Sequence, residues 1–517
     1  MRTEDQEKLL DFGTGAAKNG IIFTSSKIIS SIMNLALLIF LARFLQPSDF
    51  GLYALVVAFS LTLHASGAFG MGTALRRRLP QLNSKKAIFS FISNAFSLSL
   101  SITVAIVIFG ICISGVLAIY IYHNPSITLP LEIGAIAVLF SVLYNLSIAV
   151  LTGIGRIHAL SYSVLAYSIV QLFVSIILVE MGFGVMGAIL GMLVGLISGF
   201  LIAFSFILKN IGFELVKPRL NIMKKLGKFS TPLVISNLSV NGSKSFAVLV
   251  LGVFASSFIV GEYNAAFRLG NFAEVIINSL AFMLLPEFSK ALVHEKFSQK
   301  LSSIFNNSLY YTLLIMLPII VYLISVAKPL ILLFFSSEYY IAPTYFIVII
   351  IGITLGIIGA YGSNIIIGFG DTKRTTKYQL TVILVELFLI VVLTPYLKAY
   401  GILIGMFIVG PLMLDIIYML ALKKSFKISL KYKQLSALVL SALILTVILF
   451  IPTFILHGKK LILINAILAL VFYPIIVGLL HVVRKSNLEF ISAVGQRIRI
   501  SRILGPFIRY TSFFVKT

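Results

Sequence analysis

Fourteen long apolar runs lie along this chain, and Lys and Arg collect in every second loop between them, a pattern that restricts the fold to an all-helical integral membrane protein. In hydrocarbon every backbone N–H and C=O needs an internal partner, and a helix supplies one within a single segment. The runs fall at 21–42, 51–74, 87–119, 131–152, 159–180, 184–208, 229–253, 262–285, 303–334, 341–367, 376–396, 401–421, 434–455 and 461–483. Each provides the ~20 apolar residues that a bilayer core demands. Those at 87–119 and 303–334 exceed that length and are expected to tilt or to project beyond the bilayer.

Composition agrees. Of the 517 residues 59% are hydrophobic and only 11% charged, and the mean hydropathy is +1.07, whereas a soluble domain carries about 25% charged residues. The net charge of +24 is placed by topology and calls for no nucleic-acid partner. If the N-terminus is cytoplasmic, the inner loops hold 23 Lys and Arg, among them Arg76, Arg77, Arg78, Lys224 and Lys225. The outer loops then hold only five: Arg43, Lys328, Lys398, Lys459 and Lys460. That positive-inside bias predicts that both termini are cytoplasmic, and the basic inner loops should meet anionic headgroups of the membrane lipids.

A single cysteine, Cys112, excludes an intramolecular disulfide and a Cys-based metal cluster. The first 20 residues mix both charge signs and show no signal-peptide cleavage pattern, so the first span is expected to persist. With no Trp in the chain, Tyr120, Tyr122, Tyr339 and Tyr340 are placed to supply the interfacial aromatic belt. No loop is long enough for a second domain. The segment from Arg484 to the end interleaves Leu488, Ile491 and Val494 with Arg497, Arg499 and Arg502, the pattern of a basic amphipathic segment lying in the inner interface.

The chain also looks duplicated. Phe50-Gly51-Leu52-Tyr53-Ala54 matches Val260-Gly261-Glu262-Tyr263-Asn264 at an offset of 210, and Leu79-Pro80 matches Leu285-Pro286 at 206. Gly153-Ile154-Gly155-Arg156 matches Gly368-Phe369-Gly370-Asp371 at 215, and Gly187 to Gly191 matches Gly401 to Gly405 at 214. Four matches in order predict two lobes of six helices, 1–215 and 216–425, followed by two extra helices over 426–483 and a cytoplasmic tail over 484–517. An even number of helices per lobe makes the repeats parallel, with a substrate site expected between the lobes. The two Gly-x-x-x-Gly stretches are expected to serve helix packing.

Ionisable residues inside a span cost at least ~2.5 kcal/mol each and require a cavity or a partner. Lys27, Ser31 and Asn34 lie at i, i+4, i+7 in the first span, and Asn237, Asn241 and Lys244 repeat that spacing in the seventh. Asn264, Arg268 and Asn271 share one face of the eighth. These stripes fit the walls of a wet cavity, and Lys27, Lys244 and Arg268 give it a positive bias suited to an anionic substrate. Snorkelling of Lys27 to the inner interface is the alternative. The buried acids are Glu274, Glu386 and Asp415, candidates for exchanging a coupling proton or sodium ion or simply for pairing with the cations; His64 could titrate, or could be a satisfied core histidine. There is no phosphate-binding loop and no His-Glu-x-x-His, so neither ATP-driven transport nor zinc chemistry finds support, and no cofactor is expected.

Ala42-Arg43-Phe44-Leu45, Pro47, Asp49-Phe50-Gly51, Tyr53, Gly70 and Arg76-Arg77-Arg78 together resemble the opening of polysaccharide transporter family proteins. These are the Wzx-type oligosaccharide flippases of the multidrug/oligosaccharidyl-lipid/polysaccharide exporter superfamily. Gly261-Glu262-Tyr263 to Arg268, with Leu285-Pro286, resembles the second-half pattern. The resemblance implies a prokaryotic plasma-membrane protein that is not an enzyme. It would move polyprenyl-diphosphate-linked oligosaccharides from the inner to the outer leaflet by alternating access through a cationic cavity. A cation-coupled drug exporter of the same superfamily would favour acids there, and a membrane-embedded polymerase or ligase would need a larger outer loop than this chain has.

Overall fold

The computed structural model describes residues 2–67, 70–212, 218–237, 242–283 and 297–483, and leaves aside the side chains of 2–21, 229, 231–237, 272–283 and 297–298. Asn241, Leu285-Pro286 and the 484–517 tail therefore lie outside the described residues, as do the side chains of Asn237 and Glu274.

The first half begins with α1 (Arg2–Phe44), α2 (Gln46–Gly67), α3 (Met71–Arg78) and α4 (Lys85–Val116). Next come α5 (Thr128–Gly153), α6 (Ile157–Leu178), α7 (Gly184–Ile211), α8 (Leu220–Asn237), α9 (Ser243–Phe254) and α10 (Ser257–Met283). Beyond these lie α11 (Phe297–Ser325), α12 (Ala327–Phe334), α13 (Ala342–Leu355), α14 (Ile357–Gly368) and α15 (Thr372–Leu397). A short α16 (Ala399–Ile402) passes through a π-helical turn, Leu403–Val409, into α17 (Gly410–Phe426). The series ends with α18 (Tyr432–Phe450) and α19 (Lys459–Leu479).

The described residues of each of the fourteen predicted runs are mainly helical, and no strand occurs among the described residues. Eleven of the described helical stretches are long and apolar enough to cross a membrane. One of them, Ile157–Ile211, is two spans reversed at Gly182, whose φ of 92° only glycine adopts cheaply. The remaining two runs correspond to α8 with α9 and to α10.

Hydropathy misses the breaks inside runs. The stretch 341–367 divides at Gly356 into α13 and α14. The overlong run 303–334 is not one projecting helix, because Val326 leaves helical geometry and separates α11 from α12. By contrast 87–119 is continuous, α4 closing with a π-helical turn over Leu117–Ile121.

The chain forms two compact units, Met1–Asn264 and Ala265–Thr517. In the first, α7 lies along α6 and α5, α1 packs on α6, α2, α3 and α4 pack on α5, and α9 packs on α2. In the second, α11 packs on α18 and α19 around a core that includes Leu314, Leu317, Leu438, Leu445 and Val477. Two tyrosines clamp this core to backbone: Tyr310 donates to the Val482 carbonyl at 2.7 Å and Tyr473 to that of Leu314 at 2.9 Å. A buried hydroxyl demands such a partner, since leaving one unmade costs about 1–3 kcal/mol.

Repeat-related residues have matching geometry. Gly155 and Gly370, 215 apart, both have left-handed φ, at 73° and 82°. Gly184 has φ 51°, ψ −130° and Lys398, 214 further on, has φ 51°, ψ −128°. Buried Asn94 on α4 accepts a hydrogen bond from the Arg219 backbone N–H at 2.7 Å, just ahead of α8. Buried Asn306 on α11 accepts one from the Lys431 N–H at 3.0 Å, just ahead of α18. Both pairs are offset by 212, so α18 leaves α11 as α8 leaves α4.

The two Gly-x-x-x-Gly stretches are packing seams, as expected. A Cβ on Gly187 or Gly191 would strike α6 at Leu178 or Ser175, and one on Gly401 would strike α15 at Thr394. The glycines of the first repeat motif face each other. A Cβ on Gly51 would enter the Ser257 carbonyl, and one on Gly261 the Pro47 carbonyl. Pro47 and Ser257 are themselves 210 apart, so this contact between α2 and the start of α10 is reciprocal.

Candidate functional site

The cationic stripe of α1 points away from the core of its unit. Lys27, Ser31 and Asn34 are all exposed, while Ser26 and Ser30 on the adjoining face are buried. Helical spacing accounts for the division, and a 2.5 Å hydrogen bond between the Ser30 and Ser168 hydroxyls fastens the inner face to α6. The Lys27 ammonium sits 5.7 Å from the centre of the Phe23 ring, one turn earlier, a cation–π contact that leaves its charge uncancelled. The Asn34 amide donates to the Ser30 carbonyl at 2.9 Å.

Lys244 is the second residue of α9 and is half-buried between buried Ser243 and Ser245. Asn237 ends α8, so the stripe expected across Asn237, Asn241 and Lys244 spans two helices with undescribed residues between them. On α10, Asn264 is buried while Arg268 and Asn271 are half-buried along the same face. Lys244, Asn264 and Arg268 each have an interaction partner. Glu274 follows on the same helix.

The acids occupy different settings. Glu386 is buried on α15 with its carboxyl folded against Gly410, where a Cβ would strike Oε1. Its repeat counterpart Gln171 also packs against a glycine, Gly195, but through its Cβ and backbone and not through its amide. Asp415 is half-buried on α17, and its Oδ1 accepts a hydrogen bond from the Gly359 N–H at 2.6 Å. Gly359 lies in the first turn of α14, where backbone N–H groups lack intrahelical partners. Asp415 thus caps, from a neighbouring helix, the half-helix that begins at the Gly356 break. His64 is half-buried on α2 with its Nδ1 3.0 Å from the Ser141 hydroxyl of α5.

Two features escaped the sequence reading. Glu262, noted only as part of a repeat motif, is wholly buried. The reading began the eighth span at this residue, which placed it at a membrane surface, whereas α10 starts at Ser257 and carries it inward. Gly352, Gly356, Gly359 and Gly362 form a seam against Phe407, Pro411, Leu414 and Tyr418. The 4-3-3 spacing of those glycines was the signal.

The sequence profile of a family described as "Polysaccharide biosynthesis protein" matches residues 40–342, more than half of the chain. The protein belongs to that family. It has the all-helical fold of transporters of the multidrug/oligosaccharidyl-lipid/polysaccharide exporter superfamily. The lipid II flippase MurJ in an inward closed conformation superposes with a TM-score of 0.74 at 17% identity, over 88% of this chain and 98% of that one. A multidrug resistance MATE family transporter in an inward-facing conformation gives 0.62 at 18% identity, over 78% and 99%. An outward-facing structure of a transporter of that family gives 0.52 at 19% identity, over 78% and 93%. No curated protein sequence matches significantly. These likenesses establish the fold of a multi-pass membrane transporter, and the family match places it in polysaccharide biosynthesis.

Proposed function

We propose that this protein is a flippase that carries polyprenyl-diphosphate-linked oligosaccharides from the inner to the outer leaflet by alternating access, for the synthesis of a cell-surface polysaccharide or glycan. The observation that carries this reading is membership of a polysaccharide biosynthesis family over residues 40–342. The fold shared with a protein described as a lipid II flippase supports it. Two six-helix lobes, 1–215 and 216–425, would rock against each other, with 426–483 adding two helices and 484–517 lying in the inner interface. Both termini would be cytoplasmic in a prokaryotic plasma membrane. The protein makes and breaks no covalent bond in this reading, and it uses no cofactor.

Lys27, Lys244 and Arg268 would hold the diphosphate, each offering N–H donors to a dianionic group for which charge-assisted hydrogen bonds are short and strong. Asn34, Asn237, Asn241, Asn264 and Asn271 would bind the sugar hydroxyls. Glu274, Glu386, Asp415 and His64 would exchange a coupling proton or sodium ion. The test is flipping of a fluorescent lipid-linked oligosaccharide in proteoliposomes. Lys244→Ala and Arg268→Ala should each cut the rate about tenfold or more, the equivalent of one lost charged hydrogen bond, at unchanged expression. An ion gradient should be required and ATP should not. Normal flipping by both variants would remove these cations from the site.

The second reading is a cation-coupled drug exporter, favoured by the MATE-like fold and the acids Glu386 and Asp415. Efflux of cationic drugs by the same proteoliposomes, without movement of lipid-linked sugar, would select it.

A further inference from the structure

The helix α11 carries a proline in its interior, Pro318. Proline has no N–H, so the carbonyl four residues earlier loses its helical donor. That carbonyl belongs to Leu314, and it is the one to which the Tyr473 hydroxyl of α19 donates, at 2.9 Å. Both residues are buried. A phenol on one helix thus replaces the donor that a proline removes from another, as a span without access to water requires. Pro474, next to Tyr473, removes a bond from α19 in the same way, so both helices are weakened near their contact.

The hairpin of α18 and α19 grips α11 on both sides of the proline. On the N-terminal side, Asn306 Nδ2 donates to the Ser429 carbonyl at 2.9 Å and Oδ1 accepts from the Lys431 N–H at 3.0 Å, both just ahead of α18. The Tyr310 hydroxyl donates to the Val482 carbonyl, just past α19. On the C-terminal side, the Tyr322 hydroxyl donates to the Ile462 carbonyl at 3.3 Å and Asn465 Nδ2 to the Ser325 hydroxyl at 3.0 Å. Leu314, Leu317 and Val321 share one apolar core with Leu438, Leu445 and Val477. At the 212 offset of the Asn94 and Asn306 anchors, Pro318 corresponds to Ile106 of α4, so this break belongs to the second half.

We infer that Pro318 is a hinge in α11, that Tyr473 is its latch, and that α18 with α19 forms a splint across it. A helix lacking one bond bends there more readily than elsewhere. While the phenol occupies the Leu314 carbonyl the hinge is held at one angle, and when the hydroxyl leaves the joint is released. A hinge with a held and a released state is a switching element of the kind that domain rearrangement uses. This deepens the alternating-access reading, on which its role in transport rests, by naming a joint inside the second half and a task for α18 and α19.

The test is hydrogen–deuterium exchange of the full-length protein in detergent, read over the α11 amides of 315–322 in a double-mutant cycle. Tyr473→Phe should speed their exchange about fivefold or more, because the Leu314 carbonyl then loses its donor. In a Pro318→Ala background, where residue 318 supplies an N–H to Leu314, the same change should alter exchange by less than about twofold. Tyr310→Phe, whose acceptor lies outside α11, should act alike in both backgrounds. Equal effects of Tyr473→Phe in the two backgrounds would overturn the latch. Pro318→Ala should also keep or raise the melting temperature while slowing transport in proteoliposomes several-fold, and undiminished transport would overturn the hinge. A wild type that moves neither lipid-linked sugar nor drug would count against the proposed function, and the exchange cycle would still decide the latch.

Discussion

Asp415 on α17 accepts a 2.6 Å hydrogen bond from the backbone N–H of Gly359, in the first turn of α14. An interrupted membrane helix exposes N–H groups that water cannot reach, and a carboxylate from the next helix satisfies one of them. The first repeat has Phe200 in place of this acid and Tyr144 in place of this glycine, so the arrangement belongs to the second half alone.

Asp415→Ala should lower stability by about 1–3 kcal/mol, the range for a buried donor left without its acceptor. Asp415→Asn keeps an oxygen at that position and should melt close to the wild type. Thermal unfolding in detergent separates the two. If Asp415 also exchanges a coupling ion, the Asn variant should fold normally and yet lose gradient-driven transport; undiminished transport by it would assign the residue to capping only.

The Asn94 and Asn306 anchors make a paired prediction. Replacing either with Ala removes the acceptor for the Arg219 or the Lys431 N–H, and each change should cost about 1–3 kcal/mol. The measurement is the melting temperature of each variant, with Asn94→Asp and Asn306→Asp, which preserve an acceptor oxygen, as controls.

Lys398 holds φ 51°, ψ −128°, a conformation that its counterpart Gly184 adopts freely. Side chains in such regions store about 1–3 kcal/mol of strain. Lys398→Gly should therefore raise the melting temperature with little effect on transport. Gly184→Ala should lower it, because it creates the same strain in the first half.

Orientation can be tested with thiol labelling. In a Cys112→Ala background, a single cysteine replacing Arg77 or Lys224 should be shielded from impermeant reagents in intact cells, and one replacing Lys459 should react. Labelling of the first two from outside would invert the proposed topology.

The fourteen spans were legible because transfer of ~20 apolar residues into a bilayer is a summed property that a sequence displays directly. Breaks within spans were not. Gly356 and Val326 are apolar and leave a hydropathy profile unchanged, although backbone dihedrals end a helix at each of them. Spacing correctly grouped Lys27, Ser31 and Asn34 on one face, because α1 is unbroken there. The same spacing was less informative for Asn237 and Lys244, which belong to two helices. Glu262 shows a further limit: where a helix starts decides how deep a residue sits, and boundaries are the least readable feature of a sequence.

The reciprocal meeting of Gly51 with Gly261 has a bearing on ancestry. Two equivalent patches that touch each other's backbone make an isologous contact, the kind that joins two copies of one chain about a two-fold axis. A single-repeat precursor pairing with itself would have had one glycine facing its own image, and fusion into one chain turned that self-contact into four separate positions: 47, 51, 257 and 261. Relatives that place a larger residue at 51 should then carry a compensating retreat near 257, and those enlarged at 261 should carry one near 47. The two halves of the gene are thus tied to each other at this point, where a change in one repeat calls for a change in the other.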